Sequence, residues 1–197
     1  MILLMFVAFA IPQTVKTQNE MEKATFGSGC FWCSEAIFAR VEGVVDAVPG
    51  YSGGTEPNPT YEMVCSGTTR YAEVTQVTYD PEIVSYEDLL KIFFETHDPT
   101  TLNRQGADVG PQYRSVIFYH SPEQREKALE IKEKLNEAGI WKSPVVTEIT
   151  AFDKFYKAED YHNDFYENNP NYGYCRVVIT PKIEKFEKVF KQYLKKP

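Results

Sequence analysis

The order of strand-like and helix-like segments is the strongest constraint on what this 197-residue chain can fold into. Hydrophobic spacing and turn residues predict strands at 23–26, 44–48, 70–79, 115–119, 145–150 and 176–180, and helices at 31–40, 85–96, 122–138, 157–168 and 182–194. The two types are interleaved, yet some strands follow one another across a loop. This order predicts an α+β fold, a two-layer α/β sandwich with a mixed sheet and a ferredoxin-like core, rather than a doubly wound parallel sheet.

Two helices carry clear boundary signals. Ser85 and Asp88 have the spacing of a capping box, which predicts a helix start at Ser85. Ser121 precedes a proline at the first position of the next predicted helix, and Gly139 follows its last residue. We therefore expect these boundaries to be accurate.

Two long polar loops are predicted, at 49–60 and 97–114. Both are rich in turn-forming residues and contain tyrosines. Loops of this length in a compact domain usually carry function.

Residues 1–12 form an apolar run that is too short for a membrane span and resembles the apolar part of a signal peptide. Ala8 and Ala10 form an A-x-A-like cleavage site, although no positive charge precedes the run. Export or a membrane-proximal position is one interpretation; a cytoplasmic protein with an N-terminal extension is the other. We assign residues 1–22 to this segment and its linker, and expect residues 23–197 to form a single catalytic domain.

The formal net charge of −7, with no block of like charges, argues against a nucleic-acid partner. The four cysteines are Cys30, Cys33, Cys65 and Cys175, too few for a disulfide scaffold in a domain of this size. Only Cys30 and Cys33 are closely spaced. Their spacing indicates redox or metal chemistry.

Cys30 lies where a glycine-rich turn leads into a predicted helix. Helix N-termini stabilise anions, so we expect a lowered pKa for the Cys30 thiol. Cys33 lies one helical turn further on, within plausible reach for a disulfide. Two alternatives are a pair of buried structural thiols and half of a zinc site. For a metal site, however, Cys65 and Cys175 are isolated and the histidines are scattered, so we expect no metal.

Glu73 is a candidate acid on the strand that follows Tyr71. The two-residue period places it on one face with Thr75, Val77 and Tyr79. If that face is buried, desolvation raises the pKa of the carboxyl group, and a neutral carboxylic acid can act as a general acid. The alternative is an exposed strand glutamate.

The aromatic pair Phe31 and Trp32 follows Cys30 directly. These two side chains could be ordinary core residues. Beside a nucleophile, they could instead wall an apolar pocket for a small alkyl group.

Several segments in a fixed order make residues 23–195 similar to the peptide methionine sulfoxide reductase A family. They are GCFW, PGYSGG, NPTYEMVCSG, AEVTQVTYDP, HDPTTLNRQGADVGPQYRS and AEDYH, followed by the YC and PK pairs near the C-terminus. This set is far more specific than the cysteine pair alone. The resemblance implies an α+β sandwich and reduction of the S epimer of methionine sulfoxide.

The resemblance also implies roles for the first group of residues. Cys30 is the nucleophile, and Phe31 and Trp32 hold the methyl group of the sulfoxide. Glu73 acts as an acid toward the sulfoxide oxygen.

A second group of roles concerns the same oxygen. The resemblance implies that Tyr61 and Tyr113 donate hydrogen bonds to it, and that Asp108 organises polar groups and water in the site. Attack by the thiolate then leaves Cys30 as a sulfenic acid, which a second thiol converts to a disulfide.

The expected partners follow from this chemistry. They are oxidised proteins, peptides or free methionine sulfoxide as substrates, and thioredoxin or a similar dithiol as reductant. We expect no metal or organic cofactor and a monomeric protein. A thioredoxin-like disulfide oxidoreductase that uses only Cys30 and Cys33 is the alternative enzyme, and a non-catalytic module that recognises oxidised methionine is a third reading.

The resolving thiol stays open between two cysteines. Cys33 is favoured by proximity, although many family members have glycine there and use a distant cysteine. Cys175 has family precedent, but a predicted strand would place it on one face with Val177 and Ile179 as a buried core thiol. Cys65 is expected to be structural.

The remaining departures and polar residues are interpreted as follows. The family usually has Gly-His before Ala-Glu-Val, where this chain has Arg70 and Tyr71, and we expect this difference to change substrate preference or rate. His97 and His162 are expected to make structural hydrogen bonds. His120 is expected to lie on the surface.

Overall fold

The computed structural model describes residues 21–196. The signal-peptide-like segment 1–12 lies outside the described residues. Within residues 21–196, none of the helices combines the length and the hydropathy needed to cross a membrane.

Eight strands and six α-helices are present in the described part of the chain. The strands are β1 Glu22–Ser28, β2 Val44–Ser52, β3 Ala72–Tyr79, β4 Arg104–Gln105, β5 Asp108–Val109, β6 Ser115–Tyr119, β7 Glu148–Ala151 and β8 Phe155–Lys157. The helices are α1 Phe31–Phe38, α2 Tyr61–Cys65, α3 Tyr86–Thr96, α4 Pro122–Ala138, α5 Phe165–Asn168 and α6 Thr180–Val189. Shorter 3₁₀ turns lie at Pro111–Tyr113, Asp160–His162 and Lys191–Tyr193, and a π-helix at Cys175–Ile179.

Six strands form one sheet in the order β7-β6-β1-β3-β2-β8. All neighbours are antiparallel except β6 and β7, so the sheet is mixed. The chain order β1-α1-β2-β3-α3-β6 combined with the spatial order β6-β1-β3-β2 is the ferredoxin-like arrangement. The predicted α+β fold with a ferredoxin-like core and a mixed sheet is confirmed.

The main core lies between this sheet and helices α1, α3 and α6. Phe26 of β1 is fully buried, and its ring stacks on Phe38 of α1 and Phe93 of α3, with centroids 5.2 Å away in each case. Every second residue of β1 and β3 faces this layer, namely Ala24 and Phe26 on β1 and Val77 and Tyr79 on β3. The aromatic packing fixes α1 across the sheet, and therefore fixes the start of α1 at the end of β1.

The predicted helix boundaries are confirmed at both marked helices. Ser85 caps α3 in a complete capping box, with its Oγ accepting from the Asp88 N–H and the Asp88 carboxylate accepting from the Ser85 N–H. Ser121 caps α4 through the N–H of Gln124, and Gly139 ends that helix in the left-handed conformation.

Strand β2 is longer than predicted, since residues 49–52 were assigned to a loop and belong to the strand. Pro49 is tolerated because its carbonyl accepts the Ala158 N–H just beyond the end of edge strand β8. The nitrogen of Pro49 points to the same side, away from β3, so its missing N–H costs no bond to that strand. Strand β7 begins at Glu148, three residues after the start of the predicted strand at 145–150.

The predicted helix at 157–168 is wrong. Lys157 ends strand β8, a 3₁₀ turn follows, and only Phe165–Asn168 is α-helical. Asp164 adopts a left-handed backbone with φ of 51°, which separates the turn from α5. The predicted loop at 97–114 contains the short strands β4 and β5, and α2 forms directly after the predicted loop at 49–60.

The predicted strand at 176–180 is also wrong. Cys175–Ile179 is a π-helix that continues into α6, which ends at Val189 rather than 194. Cys175 and Ile179 are fully buried, whereas Val177 is 76% exposed. Core packing of these two residues, four positions apart, overrides the strand preference of the β-branched run.

Replacing Ser85 with alanine should lower stability by about 1 kcal/mol, because the first turn of α3 loses its side-chain acceptor. For a chain of this size that corresponds to a melting temperature roughly 2–4 °C lower. Thermal unfolding followed by circular dichroism measures the change, and Ser85→Thr, which keeps the hydroxyl, is the control. An unchanged melting temperature for Ser85→Ala would contradict the capping role.

Candidate active site

Cys30 stands at the junction of the sheet and the first helix. Strand β1 ends at Ser28, Gly29 turns the chain with φ of 94°, and Cys30 is the N-cap residue of α1. A Cβ on Gly29 would lie 2.6 Å from Cγ of Gln105, so glycine is required by both conformation and space. The predicted position of Cys30 at a helix start is confirmed.

The expected lowering of the Cys30 pKa is wrong. Burial raises the pKa of the Cys30 thiol well above its usual value, and the hydrogen bond to Cys33 and the charge of Glu73 act in the same direction. Only the backbone N–H of Trp32 opposes them. Cys30 is 9% exposed, and its desolvation outweighs the helix start.

The pKa of the Cys33 thiol shifts in the opposite direction to that of Cys30. The pKa of its thiol is lowered, first because Cys30 donates a hydrogen bond to it, and also by Lys182 and Tyr174. The backbone joins the pair as well, with the Cys33 N–H donating to the Cys30 carbonyl at 3.1 Å. The two sulfur atoms are therefore neighbours in the reduced protein.

Glu73 lies on β3 beneath the start of α1. It is 1% exposed, and its Oε2 accepts the Phe31 N–H at 3.1 Å. Burial raises the pKa of the carboxyl group to about 8, and the charges of Asp108 and Cys33 add to this effect. Of the two interpretations of Glu73, the structure supports the buried carboxyl group with a raised pKa over the exposed strand glutamate, and the group is neutral at pH 7.

Tyr61 and Tyr113 come from different elements to the same region. Tyr61 begins α2, and Tyr113 ends the 3₁₀ turn before β6. Burial raises the pKa of both phenols, and the charge of Glu73 contributes to each shift. Both side chains therefore remain O–H donors near Glu73, which is the arrangement that the family resemblance implies.

Asp108 reaches the site through another tyrosine. Its Oδ2 accepts the Tyr174 hydroxyl at 2.6 Å. Burial is the first cause of a raised pKa at Tyr174, and the charges of Cys30 and Cys33 follow. The hydroxyl of Tyr174 thus lies close to the thiol pair, a position that the sequence did not indicate.

Phe31 and Trp32 form an aromatic wall next to the nucleophile. Phe31 is fully buried, Trp32 is half-buried, and their ring centroids are 6.4 Å apart. The Phe31 ring also stacks with Tyr61 at 6.3 Å. Phe165 of α5 lies flat on the Trp32 indole, with centroids 3.7 Å apart and planes 7° from parallel.

Glu159 and His162, neither assigned a catalytic role from the sequence, hold this wall in place. Trp32 Nε1 donates to His162 Nδ1 at 2.9 Å, and His162 is fully buried. Glu159 accepts the Tyr61 N–H and the Tyr51 hydroxyl, each at 2.8 Å. The AEDYH segment contained both residues and was the one signal available.

The structural hydrogen bonds predicted for His97 and His162 are present. His162 makes the bond just described, and buried His97 pairs with the Phe93 carbonyl at 2.6 Å and the Ser115 hydroxyl at 2.7 Å. His120 is half-buried instead of a surface residue, because its Nε2 pairs with Thr25 Oγ1 at 2.9 Å.

The other cysteines differ in their relation to the site. Cys65, expected to be structural, is half-buried with its Sγ 4.0 Å from Glu73 Oε1, so it lies beside the acid. Cys175 is fully buried in the core cluster that contains Cys30 and Cys33, on a helix rather than a strand. All four thiols are free.

Tyr71, where the family pattern has histidine, supports the wall from behind. Its ring meets Tyr156 edge-on at 5.8 Å, and its hydroxyl donates to the Glu56 carbonyl at 2.5 Å. It belongs to the cluster of Phe31 and Tyr51. A Cβ on Gly54 would lie 2.2 Å from the Tyr71 ring, which shows how closely the loop after β2 is packed.

The site combines a nucleophilic thiol, a neutral carboxylic acid and two phenols beside an aromatic wall. Together these groups can reduce a substrate whose oxygen must be protonated as it leaves. A simple disulfide oxidoreductase would leave the acid and the phenols unused. Within residues 21–196, no cluster of three or more histidine, cysteine or acidic side chains could hold a metal ion. Fold and site together define a thiol-dependent reductase.

Comparison with known proteins gives the family. A model described as peptide methionine sulfoxide reductase matches residues 22–194, and the chain belongs to this family. The peptide methionine sulfoxide reductase MsrA of Sulfolobus acidocaldarius is 60% identical over 170 residues, covering 86% of this chain and 96% of that protein. The protein is therefore an enzyme that reduces methionine sulfoxide.

Two solved structures of Mxr1 from Saccharomyces cerevisiae are similar to this fold. The reduced form has a TM-score of 0.73 and 36% identity, covering 83% of this chain and 94% of that one. Mxr1 in complex with Trx2 has a TM-score of 0.52 and 28% identity, covering 75% and 88%.

Replacing Glu73 with glutamine should lower kcat about 10²-fold or more, because the site loses its proton donor. In the parent enzyme, activity should also fall as pH rises above about 8, where Glu73 ionises. Steady-state rates from pH 6 to 10 measure both effects. Glu126→Gln, at an exposed position on α4, is the control. Undiminished activity of Glu73→Gln would exclude the acid role.

The same variant should change how stability depends on pH. The pKa of Glu73 is about 8 in the folded protein, against 4.5 for a free glutamate as in the unfolded chain. Its stabilising contribution is therefore complete below pH 4.5 and is lost as the pH rises from there through 8. Glutamine does not ionise, so the variant keeps its free energy of unfolding over this pH range. The parent loses a few kcal/mol there, at roughly 1.4 kcal/mol per pKa unit. Thermal unfolding at pH 5 and pH 8.5 should show Glu73→Gln gaining relative stability at the higher pH.

Proposed function

We propose that the enzyme reduces the S epimer of methionine sulfoxide, in proteins, in peptides or as the free amino acid, with Cys30 as nucleophile and Glu73 as acid. One observation carries the proposal. The carboxyl group of Glu73 is buried, holds its proton at neutral pH and is bonded to the amide that follows Cys30. A proton donor therefore stands beside the nucleophile. The epimer preference rests on the family resemblance.

The substrate would be oriented by the aromatic wall and the hydroxyl donors. Phe31 and Trp32 offer an apolar surface for the methyl group next to Cys30. Tyr61 and Tyr113 remain protonated and can meet the oxygen as it gains negative charge. Asp108 acts indirectly, because it fixes the Tyr174 hydroxyl near the thiol pair.

In the first step the Cys30 sulfur attacks the sulfoxide sulfur, and Glu73 protonates the oxygen. Two electrons pass to the sulfoxide sulfur, so methionine leaves as a thioether. The oxygen is transferred to Cys30, which becomes a sulfenic acid. The thiol proton of Cys30 returns the carboxyl group of Glu73 to its neutral form, so hydrogen atoms balance.

In the second step Cys33 is the proposed resolving thiol. Its sulfur attacks the sulfenic sulfur of Cys30, water leaves, and a disulfide forms. Two observations support Cys33: it lies one turn from Cys30, with its N–H donating to the Cys30 carbonyl at 3.1 Å, and its lowered pKa favours the attacking thiolate. Cys175 is buried, and its thiol pKa is raised by burial, which makes it the weaker nucleophile.

The proposed reductant of the disulfide is a thioredoxin. A dithiol of this class exchanges with the disulfide through a mixed intermediate and returns both cysteines to thiols. The support is chemical need and the similarity to Mxr1, which has been solved in complex with Trx2.

An assay with separated sulfoxide epimers and thioredoxin tests the reaction. Methionine should form from the S epimer alone, with continued turnover only when thioredoxin and its reductase are present. Cys30→Ser should abolish turnover, whereas Cys65→Ser should keep most of it. Equal rates with both epimers, or activity in Cys30→Ser, would refute the proposal.

A single turnover without reductant tests the resolving thiol. Peptide mapping should reveal a Cys30–Cys33 disulfide with Cys175 free. Cys33→Ser should still release one methionine per enzyme but lose thioredoxin-dependent turnover, whereas Cys175→Ser should keep it. A Cys30–Cys175 bond with free Cys33 would assign the role to Cys175.

A further inference from the structure

A buried carboxyl group outside the reaction described above lies on the catalytic helix. Glu35 of α1 is 3% exposed, three residues beyond Trp32. Its Oε1 accepts the backbone N–H of Asp164 at 2.8 Å. Its Oε2 makes no hydrogen bond to any group of residues 21–196. Burying a carboxyl group costs free energy, which indicates that the contact of Glu35 with Asp164 serves a function.

The contact is made at Asp164, the N-cap residue of α5. Asp164 has a left-handed backbone, and its own side chain does not cap the helix. Helix α5 has only four residues, Phe165–Asn168, which is far too short to be stable without tertiary contacts. The first residue of α5 therefore depends on what holds its backbone.

That first residue is Phe165, whose ring covers one face of the Trp32 indole at 3.7 Å. His162 holds the indole at its nitrogen, so the ring is fixed at one edge and on one face. Glu35 and Trp32 lie on the same helix. The bond from Glu35 to Asp164 thus closes a loop of contacts that returns to Trp32 through Phe165.

Other contacts hold the far end of α5. Arg40 pairs with Glu167 at 2.7 Å, and the Tyr166 hydroxyl pairs with Thr180 Oγ1 at 3.1 Å. The Arg40–Glu167 pair is partly solvent-exposed, so its contribution is small. Neither contact touches the backbone before Phe165.

We propose that Glu35 is a positioning residue for the methyl-binding wall: its carboxyl group holds the Asp164 backbone so that Phe165 stays stacked on Trp32. The inference rests on the proposed role of Trp32 in holding the substrate methyl group. Burial raises the pKa of Glu35 to about 7, and both protonation states keep an oxygen that accepts the Asp164 N–H. Glutamine keeps such an oxygen too, whereas alanine does not.

The test measures KM, kcat and the fluorescence of Trp32. The protein has two tryptophans, so a Trp141→Phe background isolates the Trp32 signal. Glu35→Ala should raise KM about tenfold, lower kcat less, and shift the Trp32 emission to longer wavelength as Phe165 uncovers the indole. Glu35→Gln should restore all three to within about twofold.

Two further variants make the result specific. Phe165→Leu should reproduce the KM increase and the emission shift, and the double variant with Glu35→Ala should add little to either, because both substitutions break one connected contact. Glu167→Gln, at the far end of α5, should change neither. If Glu35→Ala does not fold, Glu35→Asp withdraws the oxygen by one methylene and is expected to give the same direction of change.

The opposing outcomes are distinct. An unchanged emission and KM in Glu35→Ala, or a Glu35→Gln variant as impaired as Glu35→Ala, would overturn the positioning role. An emission shift without a KM change would show that Trp32 is not part of the substrate wall, and would overturn the proposed methyl site together with this inference.

Discussion

The hydrogen bond from the Phe31 amide to the Glu73 carboxyl group joins the catalytic helix to the centre of the sheet. Strand β3 lies between β1 and β2, so Glu73 cannot move without disturbing both neighbours. Since Cys30 precedes Phe31, the bond sets the acid and the nucleophile in one fixed relation. The same burial raises the pKa values of both groups, so the carboxyl group of Glu73 and the thiol of Cys30 each hold a proton in the resting site.

The segment around Glu159 and His162 gives the site its shape from the opposite side. Glu159 fixes the backbone of Tyr61, and His162 fixes the indole of Trp32. Three residues apart, they hold both Tyr61 and the aromatic wall of Phe31 and Trp32 in place. Because both side chains bond directly to the elements that carry Trp32 and Tyr61, this surface is part of the folded core and not a separate loop assembly. Its geometry therefore depends on folding in the same way as the sheet does.

The sequence predicts those features that depend on local rules. The capping box at Ser85 follows from spacing alone and is confirmed. Spacing also places Glu73 on one face of its strand, but only the structure shows that this face is buried. The position of Cys30 is also readable, but the direction of its pKa shift is not, because spacing reveals a helix start and does not reveal burial. The run from Cys175 to Ile179 has strand preferences and forms a π-helix, because packing against a distant core decides its conformation.

The close packing of Tyr71 has a consequence for substrate binding. The loop after β2 is rich in glycine and proline and would be mobile by composition. Its contact at Gly54 and its hydrogen bond at the Glu56 carbonyl fix it to the ring and hydroxyl of Tyr71, which immediately precedes the acid strand. The entropy of ordering this loop is lost when the protein folds, so little of it remains to be lost when the substrate arrives. The loop is preorganised, and binding free energy is left for the sulfoxide itself.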